Sequence, residues 1–350
     1  MGLSHKENSL MFASLIQHNY NPPQDSIYRQ MFKIIITESV LSGIKAQEES
    51  KPVQSRSRLY KLLQQQEPQI ICDADTALLK ESPEKVLNNP AALYILDITP
   101  QEAISIQRSF GVMCLSGDNP DITPLIDIND VHISNEREKL GRGWDSVLDS
   151  VEKLPSNAIL INDRYLFASK NANIGDGFAN VYDILKEVMP DRFDGGEYHV
   201  TIVFDNENKD QDYTFNEIAL KLNKLKLQLG KDYPIMMEVL GTTHNCSVYN
   251  KLHNRLIISN YYFVEAAHKL AAFNKDIGTT RQTLLPMTLF TESSINGTTT
   301  PPFKVIDQTM NDIRDFSKSL STLSDHSVYA YAVNGKRMER CIAIRNRLLK

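Results

Sequence analysis

Between Ala158 and Leu240 the chain reads as three short apolar runs, Ala158–Ile161 (AILI), Tyr198–Phe204 (YHVTIVF) and Ile235–Leu240 (IMMEVL), separated by two stretches of helical periodicity. In the first stretch Phe178, Val181, Tyr182, Leu185, Val188 and Met189 fall on one face, and Pro190 closes it. In the second, Phe215, Ile218, Leu222, Leu225 and Leu229 do the same, stopped by Gly230. The order β-α-β-α-β, with continuous rather than alternating apolar strands, predicts a mostly parallel sheet covered on both faces. Leu252–Ser259 and Tyr261–Val264 follow as two further strands, close together in sequence.

Upstream the same alternation recurs. Lys33–Glu38 (KIIITE), Gln69–Asp73 (QIICD), Ala92–Asp97 (ALYILD) and Gly111–Leu115 (GVMCL) read as strands. Ser57–Gln66, Pro83–Asn88 and Pro100–Ser109 read as helices, the last two opening on Ser82-Pro83 and Thr99-Pro100, a cap residue followed by proline. Asn119–Ser156 resembles a connector, with Trp144, Val147, Leu148, Val151 and Leu154 along one helix face. Thr291–Pro302 (TESSINGTTTPP) is loop-like, and Met310, Ile313, Phe316, Leu320 and Leu323 mark a late helix. The expected organisation is therefore α/β in two domains, each a mostly parallel sheet flanked by helices. Residues 1–120 form the first domain, 121–156 a connector, 157–290 the second domain and 291–350 a helical tail.

At 350 residues with 41% hydrophobic and 23% charged residues, the chain can bury a large core without metal or disulfide staples. A net charge of -5 argues against a surface built throughout to coat nucleic acid, though not against a local basic site. Cys72, Cys114, Cys246 and Cys341 show no C-x-x-C pairing, so neither a zinc ribbon nor a disulfide framework is expected. No secretory signal and no apolar stretch of about 18–20 residues is found. The cytoplasm is the expected compartment, with no membrane partner.

The chemistry-bearing stretch is Lys251-Leu252-His253-Asn254-Arg255-Leu256-Ile257-Ile258-Ser259-Asn260. If it is extended, His253 and Arg255 share one face. An imidazole beside a fixed cation suits attack on a phosphate diester: the ring serves as nucleophile or proton carrier, and the guanidinium holds phosphoryl oxygens in a bidentate fork. Nearby, Asp163 and Arg164 end the first strand of the second domain, where open sheets tend to carry ligands, and His268 and Lys269 follow the last strand of the motif region. These four are candidate substrate-binding residues. His244, His253 and His268 lack the spacing of a compact metal-ligand set, so neither metal nor other cofactor is expected here.

With those residues in view, H-x-R-x-x-x-x-N resembles the H-x-K-x-x-x-x-D signature of the phospholipase D superfamily, and the element order resembles one half of that fold over roughly residues 157–274. The resemblance implies His253 as the nucleophile that forms a phosphohistidine, Arg255 as the phosphate clamp, and Asn260 in the place of the family's Asp. Arg255 keeps the family's positive charge; Asn260 loses the negative one. Since that family joins two motif copies in one active site and one copy is visible, the resemblance implies a homodimer.

The expected function is a phosphodiesterase-like protein that acts on or binds nucleic acid, with defence against mobile elements as the setting that worn motifs of this kind suggest. Two alternatives stay open. One is a catalytically inactive binding or scaffold module. The other is a metal-dependent nuclease in the first domain, where Glu38, Asp73, Asp75, Asp97 and Asp118 stand at or just past strand ends. Acids after strands are also common turn and cap residues.

Overall fold

A computed structural model describes residues 33–65, 70–71, 75–122, 143–148, 154–167, 176–205, 213–242, 254–266, 270–274, 278–279, 284–288, 302–319, 328–334 and 337–350. The first part runs β1 (Ile34–Ile36), α1 (Glu38–Glu49), α2 (Arg58–Gln65), β2 (Ile70–Ile71), α3 (Asp75–Glu81), β3 (Leu93–Leu96), α4 (Pro100–Phe110) and β4 (Cys114–Ser116). Its four strands lie in the order β2-β1-β3-β4, every pairing parallel. Consecutive residues of β1 and β3 are all buried, as strands covered on both faces must be.

Local chemistry explains how these elements begin and end. Thr99 caps α4 by accepting from the Glu102 backbone N–H while the Glu102 carboxylate accepts from Thr99, a reciprocal capping box. Gly111 then ends the helix in the left-handed conformation, φ 60°. The segment Pro83–Asn88 forms a 3-10 helix rather than the expected α-helix. Ser82 makes no side-chain capping bond there, and Pro90 disfavours helical geometry in the residue before it.

The second part comprises α5 (Trp144–Leu148), β5 (Ala158–Asn162), α6 (Gly177–Val188), β6 (Tyr198–Asp205), α7 (Phe215–Gln228), β7 (Ile235–Thr242), β8 (Leu256–Ser259), β9 (Tyr262–Ala266), the short ribbon β10 (Phe273–Asn274) and β11 (Gly278–Thr279), β12 (Leu284–Thr288), α8 (Pro302–Ser319), β13 (Val328–Asn334) and β14 (Arg337–Arg340). One sheet has the order β12-β9-β8-β5-β6-β7-β13-β14. Here the sequence-based expectation needs correcting. Only β5–β6 and β6–β7 are parallel, and the remaining pairings are antiparallel. Asn260 and Tyr261 alone link β8 to β9, and so short a link permits only an antiparallel pair.

The tail also differs from a helical one. Val328–Asn334 (VYAYAVN) is rich in β-branched and aromatic residues and joins the sheet beside β7. The chain then turns through β14 to a buried 3-10 turn at Arg347–Leu349. Nor is the connector loose where it is described: Trp144 is 1% exposed and its indole N–H donates to Asn180 Oδ1 at 2.8 Å.

Both faces of the eight-stranded sheet are covered. On one face Ile159, Ile161, Val200, Ile202 and Val239 pack with α6 and α7. The same apolar cluster takes in Ile34, Ile36, Leu93 and Ile95, so the core is continuous between the two sheets. On the other face Leu160, Val203, Leu240 and Ile258 pack with Ile306, Met310, Ile313 and Phe316 of α8 and with Leu348 and Leu349. Among the described residues no helix is long and apolar enough to cross a membrane.

Candidate functional site

The carboxyl end of β5 carries the densest grouping of the expected site residues. Asp163 follows the last strand residue and is fully buried. Its backbone N–H donates to Val203 O at 3.0 Å, continuing the parallel ladder. Its carboxylate accepts from the Tyr165 N–H at 2.9 Å and from the Leu270 N–H at 2.6 Å. The Arg255 Nε lies 4.0 Å from Asp163 Oδ1, and the Arg255 side chain keeps 20% exposure. A carboxylate with no exposure thus faces a cation that still reaches solvent.

Tyr165 organises the cationic side of the same edge. The Arg164 guanidinium sits 4.8 Å from its ring centroid and the Arg255 guanidinium 5.6 Å, both within cation–π range. Arg164 also accepts the Asp205 N–H on its carbonyl at 3.1 Å, which ties this turn to the end of β6. Behind the turn, Asn162 Nδ2 donates to Asn254 O, and Asn254 Nδ2 donates to Thr309 Oγ1 of α8 at 3.4 Å. The Ala266 N–H donates to Arg255 O at 3.0 Å. Arg255 is therefore held at its backbone by β9 and at its side chain by β5.

Asp163, Arg164 and Arg255 are brought together. His253, His268 and Lys269 lie outside the described residues. Their chain neighbours are both anchored at this edge, however: Asn254, next to His253, by Asn162, and Leu270, next to Lys269, by Asp163. Asn260 is elsewhere. Five residues of extended chain at ~3.4 Å each set Asn260 about 17 Å from Arg255, and because β8 runs antiparallel to β5 it lies beside the amino end of β5, away from Asp163. There its Oδ1 accepts from the Asn157 and Ala158 N–H groups at 3.0 and 3.3 Å, and its Nδ2 donates to Asn157 Oδ1 and Pro90 O. The side chain expected to complete the motif is a structural bracket between the two sheets.

One site residue, Tyr165, carries no motif signal. Glu265 pairs with Leu256 across β8 and β9, so its side chain shares the Leu256 face of the sheet; its Oε2 is buried without a hydrogen-bond partner among the described residues. Burial pushes its carboxyl above the ordinary range. Nothing in an isolated Val-Glu-Ala triplet distinguishes such a residue from a solvated strand glutamate.

The acids of the first part behave differently. Glu38, Asp97 and Asp118 do follow β1, β3 and β4 at one edge, but all three are exposed, and the Asp97 N–H donates to Thr37 Oγ1 as in an ordinary turn. Asp73 and the side chain of Asp75 lie outside the described residues. Among the described residues no three His, Cys, Asp or Glu side chains converge closely enough to hold a metal ion. Cys114 is a buried free thiol, pushed up to about 12 by burial, which suits a core residue rather than a nucleophile.

Compared with models of known protein families and with curated protein sequences, the chain matches none.

Proposed function

We propose that the carboxyl edge of β5, together with the segment entering β8, is a phosphate-ester site through which this protein binds nucleic acid. The observation that carries the reading is the Arg255 guanidinium, held beside the fully buried Asp163 carboxylate and the Tyr165 ring while still reaching solvent. An arginine fixed before its ligand arrives loses little side-chain freedom on binding, and its fork matches phosphate oxygens. Arg164 adds a second cation at the same edge, where the buried carboxylates are Asp163 and Asp205. The site sits at the carboxyl ends of parallel strands, where open α/β sheets favour ligands.

The chemistry that fits this edge is metal-independent diester cleavage. His253 attacks phosphorus, the ester P–O bond to the leaving alcohol breaks, and water then hydrolyses the phosphohistidine. A second copy of the chain would bring the second histidine that the phospholipase D arrangement uses to protonate the leaving group. Cytoplasmic defence against mobile elements is the biological setting we attach to this reading. Binding without turnover is the second reading, favoured by Asn260, whose amide is fully engaged at the far edge and cannot orient His253.

Labelled single- and double-stranded oligonucleotides, with EDTA present, test both. Binding should weaken steeply with salt, and Arg255→Gln should lower affinity about tenfold, the loss of one charge-assisted contact. Affinity unchanged in Arg255→Gln would remove this edge from consideration. Cleavage abolished by His253→Ala supports the enzymatic reading, whereas binding with no cleavage by the wild-type protein supports the binding module. Sedimentation equilibrium reports whether the active species is a dimer.

A further inference from the structure

A cavity of about 360 Å³ opens at the opposite, amino-terminal edge of β6, where the first sheet, the main sheet and the segment Arg347–Lys350 meet. Its charged side chains are Lys33, Arg347 and Lys350, with His199, Asn88 and Asn89, and no Asp or Glu side chain lines it. In a chain with 43 acidic residues against 38 basic ones, three cationic side chains around one cavity with no Asp or Glu are a local concentration, not a consequence of composition. The size lies within the range of about 300–1,000 Å³ for small-molecule sites.

We propose that this cavity binds a small organic phosphate of nucleoside monophosphate size and, by doing so, ties the first sheet to the main one. Arg347 is the anchor. It is 9% exposed, its Nη2 donates to Glu197 O, its guanidinium lies 5.7 Å from the Phe193 ring centroid, and its Nε has no hydrogen-bond partner among the described residues. Burial lowers the guanidinium pKa to about 10, offset only in part by the Tyr198 hydroxyl and by Glu197, whose side chain is exposed and outside the cavity lining. A phosphate would supply the missing countercharge.

The neutral members fit the rest of such a ligand. His199 Nδ1 accepts the Arg347 N–H at 3.1 Å, so the uncharged ring carries its proton on Nε2 as a donor. Lys33 is held by Asn89 Oδ1 at 3.0 Å. Leu87, Pro90 and Leu348 give an apolar wall for a ring. Lys33 and Leu87–Ala91 belong to the first part of the chain and His199 and Arg347–Lys350 to the second, so a bound molecule touches both. This inference is independent of the phosphate-ester site at the other edge.

Isothermal titration of the full chain with adenosine 5′-monophosphate and with inorganic phosphate tests it. One adenosine monophosphate per chain is expected, at least tenfold tighter than inorganic phosphate. Lys33→Gln combined with Lys350→Gln, both at incompletely buried positions, should weaken it at least tenfold and leave the melting temperature of the free protein unchanged, while Arg255→Gln leaves binding as it was. No saturable binding at millimolar ligand, or wild-type affinity in the double lysine variant, overturns the proposal. Loss in Arg255→Gln instead would assign the ligand to the other edge, and a 5′-phosphorylated oligonucleotide binding as tightly would overturn the small-ligand assignment.

Discussion

Asn260 and Asn157, on neighbouring strands of the main sheet, grip each other where that sheet meets the first. The Asn260 carbonyl oxygen accepts the Asn157 backbone N–H at 3.0 Å, and its amide nitrogen donates to Asn157 Oδ1 at 3.0 Å. Asn157 Nδ2 in turn donates to the carbonyls of Phe110 and Gly111 at the end of α4, while Asn260 Nδ2 reaches Pro90 O. Neighbouring Tyr261 accepts the Met113 N–H at 2.7 Å and donates to Ala92 O at 2.8 Å. The bracket needs a side chain that donates and accepts at once, which an amide does and a carboxylate does not.

Asn260→Asp therefore destabilises the fold. The substitution restores the acid of the resembled motif, but it sets a buried carboxylate against two oxygen acceptors. A loss of about 3 kcal/mol or more is expected from an unsatisfied, charged buried group. Urea denaturation measures it. A variant as stable as the wild type, or one that gains cleavage, would show that Asn260 belongs to the chemistry after all.

Gly111→Ala probes the same junction from the other side. Gly111 adopts φ 60°, and a Cβ placed there would lie 2.1 Å from the Ser156 carbonyl oxygen. The left-handed backbone alone costs a residue with a side chain about 1–2 kcal/mol, and the clash is with backbone that cannot swing away. We expect a loss above about 2 kcal/mol, read as a lower urea midpoint. Alanine at exposed Gly43 inside α1, where nothing lies within 4 Å of the added Cβ, is the control and should be neutral or better.

How far the sequence carried depends on the range of the interaction. Strands β5, β6 and β7 and helices α6 and α7 were legible because each is a local apolar pattern with its own stop signal. Pairing direction was not legible beyond them: nothing within Leu256–Ser259 says that it lies antiparallel beside β5, yet that is what sets Arg255 beside Asp163 and Asn260 beside Asn157. Asp163, Arg164 and Arg255 could be proposed together because strand ends and motifs are local features. The cavity could not, since Lys33, His199 and Arg347 share no sequence neighbourhood and meet only through the packing of two sheets.

Asp163 and Arg255 should be energetically coupled. Arg255 lies against a carboxylate that also fixes Tyr165 and Leu270, so Asp163→Asn loses charge and one acceptor at a fully buried position. A double-mutant cycle of Asp163→Asn with Arg255→Gln should give an interaction energy of about 0.5–3 kcal/mol, with the 4.0 Å separation and partial exposure favouring the lower end. Both variants should also weaken oligonucleotide binding, Asp163 acting as a positioning residue through Arg255. Strict additivity in stability and binding would dissolve the pair.

His199 should make the protein acid-sensitive in a defined window. Burial, and then the charges of Arg347, Lys350 and Arg345, push its imidazole down to about 3 from the ordinary 6.5. Between those limits the unfolded chain binds a proton that the folded one refuses, so stability is fully present above pH 6.5 and declines as pH falls toward 3. One such proton gives a slope of at most about 1.4 kcal/mol per pH unit. Glu238 and Glu265 work the other way, since burial raises their carboxyls and folding is favoured as they protonate. Comparison with His199→Gln isolates the imidazole, because glutamine can still accept the Arg347 N–H but does not titrate. Urea midpoints taken from pH 7 to pH 4.5 should fall more steeply for the wild type than for the variant. Parallel curves would mean that His199 is protonated in the folded protein, and that its ring does not accept from Arg347.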